Sequence, residues 1–139
     1  MHVRCLDLVD FLLIAEQVTG IEAETLLLLP QVHLVEHALN APHAGLGTIS
    51  YYQTFAEKAA AMTYQLIKGH PLIDGNKRVG YLCLRVFVER NGFGWQTSLE
   101  DGIERIETVA MIEGVADGSV PQEHLARWID ARLVHLGNS

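Results

Sequence analysis

The sequence predicts an all-α protein: a compact helical bundle in one domain over residues 1–139, with one short β-like flap. Three observations carry this. Apolar residues recur at helical spacing through most of the chain. The breaks between those stretches are short and marked by Gly, Pro or Asn. There is no internal repeat, and no linker-like segment divides the chain.

The elements follow in order. From 6 to 18, Leu6, Val9, Leu13 and Ala15 to Val18 recur at roughly helical spacing, and Gly20 is placed to end the helix. "ETLLLL" is a helical run stopped by Pro30, and "QVHLVEHALNA" is a second amphipathic stretch ending before Pro42. "HAGLGTISYYQT" breaks the periodicity with two glycines and several β-formers, so it reads as the flap. "TFAEKAAAMTYQLIK" at 54–68 is Ala-rich, which favours helix and close packing. "NKRVGYLCLRVFVER" is an apolar, central helix closed by Asn91-Gly92. "SLED" at 98–101 resembles a capping box for a helix to about 113, and "SVPQ" at 119–122 reads as the start of the last helix.

Composition narrows the partners. Of the 139 residues, 49% are hydrophobic and 19% charged, which suits a globular domain and not a disordered chain. A net charge of -7 repels polyanions at long range, so direct nucleic-acid binding is not expected and any phosphate ligand needs a local cationic site. The apolar run "FLLIA" is flanked by Asp7, Asp10 and Glu16 and is too short to span a membrane. Cys5 and Cys83 form no CxxC pair, which fits a reducing, cytoplasmic setting.

The densest chemistry lies in "HPLIDGNKR" at 70–78. A helix N-terminus leaves backbone N–H groups unpaired and carries partial positive charge, so residues 75 to 77 can form an anion hole for a phosphate. Gly75 allows close approach, Lys77 and Arg78 add two cations, and Asn76 adds a neutral donor. Asp74 would repel phosphate unless it holds a divalent metal bridging to it. Leu72 and Ile73 can anchor the loop in the core, leaving His70 to face the reacting phosphorus as a general base. A plainer assignment makes Asp74 an N-cap, residues 76–78 an exposed first turn and His70 a surface residue. Two cations set against the helix dipole favour the anion site.

"HPLIDGNKR" resembles the signature of the Fic/Doc superfamily, HPFx(D/E)GN(G/K)R, and its Lys77 is similar to the Doc (death-on-curing) branch. "ALNAP" at 38–42, "TFAEKAAAMTYQLIKGHP" at 54–71 and "FVERNG" at 87–92 also resemble Doc stretches in the same order, extending the likeness over about 34–130. The resemblance implies a compact Fic fold and ATP with Mg2+ at the site. It also implies a toxin kinase that phosphorylates a Thr or Ser of elongation factor Tu, stops translation and is neutralised by a Phd-like antitoxin. Carried over by position, His70 is the general base and Asp74 the magnesium ligand. Gly75, Asn76, Lys77 and Arg78 are then the phosphate grip. Leu72 stands where the pattern has Phe, and Tyr81 where AMP-transferring members carry a second Arg. Adenylyl transfer and a catalytically idle binding module are the alternatives.

Other signals are weaker. "HLVEH" at 33–37 matches a zinc-protease pattern that needs a third ligand and a larger chain, so His33 and His37 read as ordinary helix histidines. Tyr51 and Tyr52 in the flap suit either target docking or pinning of the loop to the core. Glu57 and Lys58 read as a solvated or locally paired helix face.

Overall fold

The computed structural model of the chain describes residues 2–97 and 101–136. Seven α-helices occur among them: α1 Leu8–Thr19, α2 Ala23–Leu26, α3 Val35–Leu39, α4 Phe55–Gly69, α5 Asn76–Arg90, α6 Asp101–Asp117 and α7 Gln122–Arg132. The flap is a hairpin of β1 (Gly45–Leu46) and β2 (Ile49–Ser50). The mostly helical expectation holds, and no helix among the described residues is long and apolar enough to cross a membrane.

Capping explains the boundaries of α1 and α4. Asp7 and Asp10 exchange side-chain bonds with each other's backbone N–H at 2.9 Å, and Gly20 closes α1 at φ 76°. Thr54 and Glu57 form the same reciprocal box at the start of α4, with bonds of 3.1 and 2.9 Å. Ser98–Glu100, on which the capping box expected before α6 rests, lie outside the described residues.

α4 is the centre of the bundle and packs against α3, α5, α6 and α7. Its Ala59, Ala60 and Met62 are fully buried, and its small side chains bring the neighbouring helices close. α5 runs antiparallel beside it. Phe55 stacks on Phe87 at 5.0 Å at one end. At the other end a Cβ on Gly80 would lie 2.7 Å from Cγ1 of Ile67, so only glycine permits that crossing. Phe11, Leu39, Leu84, Leu125 and Ile129 complete one contiguous core.

The structure corrects four expectations. The run after Glu24 yields a single helical turn, α2, and Leu28 is 82% exposed. Pro30 disfavours helical geometry at the residue before it, and the chain unwinds ahead of it. The stretch at 31–41 is broken into a 3-10 turn, Val32–Leu34, and the five-residue α3. Lys58 is not on a solvated face: it is buried, and its Nζ donates to the carbonyl of Pro42 at 3.2 Å. A second two-stranded sheet also forms, β3 (Phe93–Trp95) against β4 (Leu133–His135), in antiparallel register. Each strand has three residues, too few for a period-two signal to emerge from sequence.

Candidate active site

α4 ends at Gly69, and His70 caps it in the left-handed region at φ 47° and ψ 55°. Among the described residues no other non-glycine residue has positive φ. The conformation costs about 1–2 kcal/mol, and strain of this kind concentrates at functional sites. The turn leaves the His70 side chain in an exposed position past the helix end.

The next five residues are held by a clamp. Leu72 is buried, and its backbone N–H donates to Oδ1 of Asn76 at 2.9 Å while its carbonyl accepts from Nδ2 at 2.8 Å. The Asn76 amide thus imitates a strand partner and closes the loop on itself. Ile73, expected to anchor with Leu72, is instead 84% exposed: with Leu72 turned inward, its neighbour is turned to solvent. Asp74 is exposed and accepts the Gly75 N–H through Oδ1 at 2.8 Å. Gly75 sits at φ 85°, where a side chain is strained, and a Cβ there would touch Val18 and Thr19 at 3.4 Å.

α5 starts here. Its first backbone bond runs from Val79 N–H to Gly75 O at 2.9 Å, so the N–H groups of Asn76, Lys77 and Arg78 precede the helical ladder. With the Gly75 N–H turned to Asp74, those three are the donors at the helix end. Lys77 and Arg78 are exposed and open on a cavity of about 580 Å3 between α5 and α6. Tyr81, Arg105, Val109 and Ile112 form part of its wall. The volume is in the range of small-ligand sites. Across it, Nζ of Lys77 pairs with Oε1 of Glu113 at 2.9 Å. Sequence reasoning missed Glu113 and Arg105, since nothing local ties α6 to the loop.

Asp74 is the one carboxylate on the loop, and among the described residues no three His, Cys, Asp or Glu side chains cluster as metal ligands. Mg2+ is commonly held by one or two carboxylates with the remaining positions filled by substrate phosphate and water. A single Asp74 beside a helix end suited to phosphate fits that donor set. The flap tyrosines stand apart. Tyr51 and Tyr52 line a cavity of about 680 Å3 with Glu57, Glu123, Arg127 and Asp130. It lies at the first turn of α4, whereas His70 follows the last, about 20 Å along the helix. His33 bonds through Nδ1 to the Pro30 carbonyl, and His37 is exposed.

Residues 7–88 match the model of the Fic/DOC family, more than half of the chain. The chain belongs to the Fic/DOC family. A relative named Toxin Doc, from Mycolicibacterium smegmatis, is 31% identical over 74 residues, which make up 53% of this chain and 55% of that protein. The chain therefore spans about half the length of the curated relative it matches. No solved structure matches at a significant level.

Proposed function

We propose that this Fic/DOC chain is a Doc-type toxin acting as a protein kinase. It moves the γ-phosphoryl group of ATP to a Thr or Ser hydroxyl of a translation factor, and elongation factor Tu is the first target to try. The similarity to Toxin Doc supports the toxin reading and, with it, a Phd-like antitoxin as partner in the cytoplasm. The observation that carries the chemistry is the clamped turn. It links a strained, exposed His70 through a short closed loop to a helix start bearing Lys77 and Arg78, which supports the reading.

His70 accepts the proton of the target hydroxyl as that oxygen forms its bond to the γ-phosphorus. The bond from that phosphorus to the bridging oxygen breaks, and ADP leaves with the electron pair. The N–H groups at the start of α5, with Lys77 and Arg78, stabilise the charge on the transferring group. Asp74 would hold Mg2+, which supplies charge neutralisation on the phosphate oxygens when bound. Asn76 acts through its backbone N–H at the phosphate and through its side chain on the loop.

The test is a labelled transfer assay with purified translation factors. Label from γ-labelled ATP should reach the target and label from α-labelled ATP should not. His70→Ala should abolish transfer with ATP binding retained, because a base acts on the hydroxyl and not on the phosphate grip. Transfer of α-label would overturn the kinase reading. One observation favours that second reading, adenylyl transfer: Arg105 brings a cation to the cavity wall that Tyr81 shares.

A further inference from the structure

We propose that Glu113 is a positioning residue: a counter-ion that holds Lys77 until an incoming phosphate displaces it. The inference rests on the anion-binding reading of the helix end and extends it to α6.

Three cations, Lys77, Arg78 and Arg105, line the α5–α6 cavity, and Glu113 is the one carboxylate among its lining residues. Lys77 and Arg78 also sit in the first turn of α5, where the helix dipole disfavours positive charge. Cations placed this way repel one another unless an anion stands among them. Glu113 relieves the repulsion by pairing with Lys77 at 2.9 Å, 36 residues away in sequence.

The same pair obstructs binding, because it occupies the ammonium that the phosphate needs. Both side chains are about half exposed, at 48% and 55%, so the pair is weak and readily exchanged. Glu113 therefore tunes affinity without closing the site. Because it acts on a ligand-free contact, its effect falls on binding and leaves the chemical step alone.

The experiment is calorimetric titration of the purified chain with two probes, ATP-Mg and inorganic tripolyphosphate, which needs neither a target nor transfer. Glu113→Gln should tighten both by about three- to fivefold, as expected for loss of a competing exposed ion pair. The gain should shrink as salt is raised. Lys77→Met should weaken both, and adding Glu113→Gln to it should give no gain. Glu113→Asp should return affinity towards wild type. The substituted residue is exposed, and equal melting temperatures exclude a fold effect.

Unchanged or weaker binding by Glu113→Gln would overturn the proposal. So would a gain that persists in the Lys77→Met background, since Glu113 would then not act through Lys77. If tripolyphosphate responds as expected and ATP does not bind, the counter-ion role stands and the kinase reading falls. If neither probe binds any variant, both fall.

Discussion

Asn76→Ala separates the loop clamp seen at this residue from the phosphate contact proposed for it. The side chain spends both of its polar ends on Leu72, accepting its N–H at 2.9 Å and donating to its carbonyl at 2.8 Å. Leu72 is only 5% exposed, so water replaces those bonds poorly. Each bond contributes on the order of 1 kcal/mol, and stranding a buried partner costs about 1–3 kcal/mol. A loss near 2 kcal/mol is expected. At the usual unfolding entropy per residue, a chain of 139 residues loses about 3.5 °C per kcal/mol, so the melting temperature should fall by about 7 °C. Asn76→Asp keeps the acceptor for the Leu72 N–H but sets a carboxylate oxygen against the Leu72 carbonyl, so it too should be destabilising at neutral pH. The assays are thermal melting and hydrogen exchange at the Leu72 amide, which should lose protection in the alanine variant. A melting temperature within 1 °C of wild type, with Leu72 still protected, would refute the clamp and return the Asn76 side chain to phosphate contact alone.

Two further outcomes follow from titratable groups remote from the loop. The Arg90 guanidinium, bonded to Asp10 at 2.8 and 3.2 Å, holds that carboxyl down at about 2 from its ordinary 3.8. The pair therefore stabilises the fold above about pH 4, and the contribution is lost as pH falls from 4 towards 2. With side chains 26% and 32% exposed it amounts to roughly 1 kcal/mol, so Asp10→Asn should lower stability at pH 7 and flatten the acid limb of a denaturation series. Burial pushes the Cys83 thiol up to about 12, and partial burial also raises Cys5, which is the more accessible of the two. A thiol reagent at pH 8 should label Cys5 first and reach Cys83 only on unfolding; rapid labelling of Cys83 in the folded protein would contradict the core placement.

What the sequence made legible was local. Gly75 and Asn91-Gly92 mark the two ends of α5 by their own backbone preferences, and that helix falls where those residues put it. The loop was legible because its residue types are concentrated within nine positions. What stayed hidden depends on partners far along the chain. Lys58 has the look of a surface lysine until Pro42, sixteen residues earlier, offers its carbonyl to the ammonium. Trp95 joins a three-residue strand whose partner begins at Leu133, and its indole N–H is buried with no acceptor among the described residues. No propensity scale contains either fact.

Lys77 shows how the two kinds of information combine. Read in sequence, it is a cation at a helix start, where the dipole disfavours it, and an anion is the missing partner. In the folded chain that partner is supplied in advance by α6, as Glu113. These readings conflict if the ion pair is permanent and agree if it is exchangeable. An exposed pair worth less than about 1 kcal/mol is exchangeable, and a charge-assisted bond from ammonium to phosphate is the stronger alternative. If the helix end takes phosphate as proposed, the Lys77–Glu113 pair and the phosphate-bound lysine are two states of one site.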